Sequence, residues 1–149
     1  MNYELKNLPE RTSKPRQYGF TMAMDKGLSI REAEDFVSLS TNHVDIIKLG
    51  WGTSFVTPNL KDKIKVYQDA GLPVYFGGTL FEAFVIRDQF DDYRRILDKY
   101  DLTFAEVSDG SMVVGNARSG LRLQRWRGSA RGSALRRRMP RERGDARRA

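Results

Sequence analysis

Apolar and polar positions alternate in a repeating rhythm along the first 115 residues. Tyr18–Met24 (YGFTMAM) reads as a short buried strand. Asp25-Lys26-Gly27 follows, and then a helix from about Ser29, an N-cap candidate with Glu32 three residues on to complete a capping box. Val44–Leu49 (VDIIKL) is a second strand, closed by Gly50-Trp51-Gly52-Thr53. A helix over about Asn59–Ala70 carries Ile64 and Tyr67 on one face, and Gly71 stops it. Pro73–Phe76 is a third strand ending in Gly77-Gly78. One helix then runs from Thr79 or Leu80 to about Gln89, and another from about Asp91 to Lys99. Thr103–Val107 is a fourth strand, ending in Ser108-Asp109-Gly110.

Strand centres near Thr21, Ile46, Val74 and Ala105 lie 25–31 residues apart. Four such repeats predict βα units, right-handed crossovers and a parallel sheet of four strands. The strands are mostly apolar, which predicts cover on both faces. The class is α/β.

Each strand's carboxyl end carries charge and glycine, and in parallel α/β folds ligands bind outside those ends. The clusters are Asp25-Lys26-Gly27, then Lys48 with Gly50–Ser54, then Gly77-Gly78-Thr79 with Glu82, then Glu106 with Ser108–Ser111. Lys14-Pro15-Arg16 lies ahead of them all. Lys48 alternates with Ile47 and Leu49, so it faces away from them. A buried lysine is costly unless paired. Asp45, also charged in this apolar strand, is read as a pairing or capping residue. Gly77-Gly78-Thr79 lets backbone N–H groups approach an anion. Asp25, Glu82, Glu106 and Asp109 are the oxygen ligands available to a hard cation such as Mg²⁺. Lys14, Arg16, Lys26 and Lys48 suit phosphate and carboxylate. His43 enters the second strand at the wrong end and is read as structural. Glu32, Glu34 and Asp35 are read as a solvated face, and Met22 and Met24 as packing residues. Trp51 suits either stacking on a substrate or packing on its own sheet. Neither a Walker motif nor G-x-G-x-x-G is present.

Composition divides the chain. It has 149 residues and a net charge of +7. Residues 1–115 hold 14 Lys and Arg against 17 Asp and Glu, whereas residues 116–149 hold 12 Arg, no Lys and 2 acids. The body is therefore slightly acidic, and the positive charge lies in the tail. That tail also lacks Ile, Val, Phe and Tyr. It cannot bury enough apolar surface to offset its ordering entropy, so disorder is expected over 116–149. A nucleic-acid-binding arm, a solvated tail and an out-of-frame translation all suit this composition. The last is preferred, because Arg, Ala and Gly share GC-rich codons. The chain has no cysteine, which excludes a disulfide framework and Cys-ligated metal. No apolar run reaches the ~18 residues of a membrane span, and the amino terminus lacks a signal-peptide core. A cytoplasmic protein without membrane contact is the expectation.

The quoted motifs resemble the phosphosulfolactate synthase family. The matching stretches are Lys14-Pro15-Arg16 with Gly19, Thr21-Met22, Asp25–Leu28, Asp45, Lys48–Ser54, Gly77–Glu82 and Glu106–Ser111. The resemblance covers residues 5–115 and stops after about Gly115. It implies a TIM (β/α)₈ barrel, of which residues 1–115 supply about the first four βα units. It implies a lyase adding sulfite to phosphoenolpyruvate with Mg²⁺ to give (2R)-phospho-3-sulfolactate, an early step towards coenzyme M in methanogens.

The family also includes plant heat-stress-associated relatives, so a non-catalytic protein acting by protein contacts is one alternative; an Arg-tailed nucleic-acid binder is another. On the enzyme reading, Lys48, Lys26 and Asp25 are the catalytic candidates, with Lys48 or Lys26 protonating C2. Lys14, Arg16, Gly52, Thr53, Gly77, Gly78, Thr79 and Ser108 hold substrate. Glu106, Asp109 and Glu82 are the metal candidates, with Asp25 a further option. The expected partners are the small anions phosphoenolpyruvate and sulfite, with a homo-oligomer open and nucleic acid disfavoured. A half-barrel is expected to show little turnover.

Overall fold

The computed structural model describes residues 4–111, and residues 122–125 by their backbone. Its elements in chain order are β1 (Met22–Asp25), α1 (Ile30–Ser40), β2 (Ile46–Leu49), α2 (Thr53–Val56), α3 (Leu60–Asp69), β3 (Val74–Phe76), α4 (Gly78–Val85), α5 (Phe90–Lys99), β4 (Phe104–Val107) and β5 (Arg122–Arg125).

Local chemistry sets several boundaries. Ser29 caps α1: its hydroxyl accepts from the Glu32 N–H, and the Glu32 carboxylate accepts from the Ser29 N–H, which closes the expected capping box. Gly71 follows α3 at φ +73°, a left-handed conformation that an L side chain resists. The four-residue α2 was not anticipated.

β1, β2 and β3 form a parallel sheet in that order. Residues of one parity, Ala23, Ile47, Leu49, Val74 and Phe76, face the helices and join Ala33, Ile64, Tyr67, Leu80, Phe81, Tyr93 and Leu97 in the core. The other parity brings Met24, Lys48 and Tyr75 into cross-strand register.

Three expectations need correction. β4 lies against β3 and α4 but does not extend the parallel ladder. It pairs antiparallel with β5 instead, Phe104 opposite Arg125 and Val107 opposite Arg122. Antiparallel pairing is the slightly more stable ladder per residue. β5 itself falls within the Arg-rich segment, where no strand was expected. Backbone pairing draws on N–H and C=O groups and does not require an apolar composition. The rest of the 116–149 expectation lies outside the described residues. Finally, among the described residues the sheet is not covered on both faces, because Met22 and Met24 are exposed. Among the described residues no helix is long and apolar enough to cross a membrane.

Candidate functional site

Lys48 and Glu106 meet at the carboxyl ends of the strands. Lys48 Nζ donates to Glu106 Oε1 at 2.8 Å, and the Glu106 side chain is 1% exposed. The lysine that strand parity turned away from the core is thus paired, as burial demanded. The other carboxylate oxygen of Glu106 accepts from the Gly78 N–H at 3.0 Å, at the start of α4. This accounts for the glycine pair. A Cβ on Gly78 would overlap Ser108 Cβ and lie 3.4 Å from Glu106 Cγ. One on Gly77 would lie 3.2 Å from Lys48 Cε and from the Leu49 carbonyl. The Gly78 N–H, expected on a phosphate, is already bound to Glu106.

Asp25 ends β1 and is 3% exposed. Its Oδ1 accepts from the Gly27 and Leu28 N–H groups, both at 2.8 Å. Its Oδ2 accepts from the Tyr67 hydroxyl at 2.9 Å and lies 2.7 Å from Lys63 Nζ. Burial pushes this carboxyl up, but Lys63, the two N–H groups and Tyr67 together outweigh that and hold it below the usual carboxylate range. With four donors from its own chain, Asp25 anchors the turn that carries Lys26. Lys26 is exposed and sits 5.5 Å over the Trp51 ring. Trp51 is itself exposed, with its indole N–H 3.2 Å from Met24 Sδ on β1.

Glu82 holds the loop after β4. Its carboxylate accepts from the Ser108 hydroxyl, the Gly110 N–H (3.1 Å) and the Ser111 N–H (2.9 Å). Burial raises this carboxyl, and the donors from Ser108, Ser111 and Gly110 reverse the shift to a net lowering. Glu82 and Glu106 therefore spend their oxygens on protein donors. Among the described residues no group of three acidic, His or Cys side chains is arranged to hold a metal. Among the described residues Glu106, Asp109 and Glu82 are not brought together as a three-carboxylate set for Mg²⁺. Ser108, expected on substrate, donates to Glu82 instead.

Lys14 and Arg16 do not join this cluster. Arg16 is buried, with Nη1 2.5 Å from Asp45 Oδ1 and Nε donating to the Thr12 carbonyl at 2.8 Å. Lys14 donates to the Thr41 carbonyl. Both lie at the amino-terminal edge of β2, because the residues that precede β1 must reach that edge of a parallel sheet. Asp45 has the pairing role expected of it, and also accepts from the Thr21 N–H at 2.8 Å. Burial raises its carboxyl, and Thr21 and Arg16 more than offset this. His43 lies at the same edge, its carbonyl accepting from Arg11. Glu34 and Asp35 are exposed. Gly52 precedes α2 at φ +73°, Thr53 begins α2, and Thr79 is exposed on α4. Asp109 lies in the loop that Glu82 braces.

Lys63 and Tyr67 were not foreseen as partners of Asp25. Their i, i+4 spacing on α3 was a legible sign that they share a face.

Comparison with known proteins finds the same family as the motifs. The model of the family described as (2R)-phospho-3-sulfolactate synthase (ComA) matches residues 9–125, through β5 and past the expected limit near Gly115. The phosphosulfolactate synthase of Methanocaldococcus jannaschii is 40% identical over 100 residues, covering 66% of this chain and 40% of that protein. The Methanothermobacter thermautotrophicus protein of that name is 34% identical over 108 residues, covering 71% and 42%. The Bacillus subtilis protein is 32% identical over 109 residues, covering 73% and 43%. The chain spans about two fifths of the length of these curated relatives.

Proposed function

The chain belongs to the (2R)-phospho-3-sulfolactate synthase family, and we propose that its strand-end cluster forms part of a site joining sulfite to phosphoenolpyruvate. The observation that carries this reading is the Lys48–Glu106 pair, a cation held at the carboxyl end of the sheet by a buried carboxylate. Both reactants are anions, so their approach needs fixed positive charge. Sulfite sulfur attacks C3 of phosphoenolpyruvate, a C–S bond forms, and the C2–C3 π electrons move towards the carboxylate. A proton then reaches C2, giving (2R)-phospho-3-sulfolactate. Lys48 is the proton donor in this reading, because Glu106 keeps its ammonium aimed at the strand ends. Lys26, on the turn anchored by Asp25, adds a second cation. A cytoplasmic location and a family barrel completed beyond these strands belong to the same reading.

We expect little turnover from these 149 residues alone, since they span about two fifths of the relatives' length. The test is therefore binding together with turnover. Calorimetry should show phosphoenolpyruvate binding that weakens in the Lys48→Met/Glu106→Gln variant, and sulfite-dependent consumption of phosphoenolpyruvate should fall with it. A chain that binds no phosphoenolpyruvate, or binds it equally well in the variant, overturns the reading.

A further inference from the structure

A cavity of about 630 Å³ opens between the turn after β1 and the segment joining α2 to α3. That is room for a small phosphorylated molecule. Lys26, Arg31 and Lys63 all line it, as do Thr53 and Asn59. Lys63 is 1% exposed, and its ammonium meets Asp25 Oδ2 alone among the described residues. An ammonium has three N–H donors, so its capacity is only partly used. Thr53 Oγ1 is also buried and lacks a hydrogen-bond partner among the described residues. Arg31 is exposed and makes no ion pair among them. The ten-residue α3 begins here with no side-chain cap, and Asp62 in its first turn offsets part of the positive end of its dipole. The acid in the lining, Glu32, is committed to capping α1 through the Ser29 N–H.

We propose that this cavity binds the phosphate group of a small phosphomonoester, held by Lys26, Arg31 and the amino end of α3 with Thr53 beside it. It rests on the proposed reaction only in taking phosphoenolpyruvate as that ester; capture of phosphate as such does not depend on it. This places the phosphate in a different part of the molecule from Lys14 and Arg16, which are spent at the opposite edge of the sheet.

Calorimetric titration of the 149-residue chain with inorganic phosphate, and then with phosphoenolpyruvate, tests the proposal. Both ligands should bind saturably, and the Lys26→Ala/Arg31→Ala variant should weaken each at least tenfold. Lys65→Ala, which removes an exposed lysine outside the cavity, should change neither by more than about twofold, the size expected of a screened distant charge. Circular dichroism confirms that each variant is folded. Absence of saturable phosphate binding overturns the site, as does an equal loss in Lys65→Ala. Phosphate binding that behaves as expected in a chain that binds no phosphoenolpyruvate supports the site and counts against the proposed reaction alone.

Discussion

Lys48 Nζ lies 2.8 Å from Glu106 Oε1, tying the middle strand of the parallel sheet to a strand outside that ladder. Lys48→Met leaves the Glu106 carboxylate buried with the Gly78 N–H as its remaining donor. Breaking one side of a buried pair costs about 3–5 kcal/mol. Replacing both partners, as Lys48→Met/Glu106→Gln, removes the stranded charge and should recover more than half of that loss. Urea denaturation of the two single variants and the double variant gives the coupling directly. A Lys48→Met protein as stable as the parent would show that the pair does not hold β4 in place.

The glycine pair before α4 should be intolerant for reasons of space. Gly78→Ala drives a methyl group into Ser108, and overpacking of this kind costs about 1–3 kcal/mol. Gly77→Ala meets Leu49 and Lys48 at 3.2 Å, a milder conflict. Thermal melts should rank the parent above Gly77→Ala and Gly77→Ala above Gly78→Ala. The reverse order would mean that β4 can shift away from α4 at low cost.

Asp25 makes acid stability depend on α3. Its folded carboxyl is held below the usual range. The stabilisation is therefore fully present above the unfolded carboxylate value and is lost as pH falls through the lower folded value. Lys63→Met removes the ammonium 2.7 Å away, so its acid unfolding midpoint should move to higher pH. Tyr67→Phe removes one hydrogen bond to the same oxygen and should cost about 1–2 kcal/mol with a smaller shift. Far-UV circular dichroism during acid titration reads both. Unchanged midpoints would show that Asp25 draws its stability from the Gly27 and Leu28 N–H groups alone.

What the sequence revealed was mostly local. The Ser29–Glu32 box, the Gly71 stop and the parity of Lys48 are each written within a few residues, and each has the predicted consequence. What it concealed was partnership across the fold. The donors to Asp25, Glu82 and Glu106 are chosen by tertiary contact, here Lys63, Ser108 and Lys48, and no local pattern shows them. Nothing near Arg16 says that it will cross to Asp45 rather than join the strand ends. The Arg-rich segment hid β5, since pairing with β4 depends on an available strand edge and not on apolar side chains.

Three buried phenols should make the fold sensitive to alkali. Burial, with the nearby Glu106 carboxylate, pushes Tyr75 up to about 12. Burial raises Tyr67 and Tyr93 as well, helped by Asp25 in one case and Glu106 in the other. In the unfolded chain these phenols ionise near pH ~10. Because the folded values are raised, their stabilisation is fully present below the unfolded value and is lost as pH climbs through the folded ones. Each phenol removes about 1.4 kcal/mol per pH unit once the unfolded form can ionise. Stability measured in urea should therefore fall steeply above pH ~10, and Tyr75→Phe should make that fall shallower. Absorbance at the phenolate band should show these tyrosines ionising together with loss of circular dichroism, not before it. Ionisation of all six tyrosines near pH ~10 with the fold intact would show that Tyr67, Tyr75 and Tyr93 are reached by solvent.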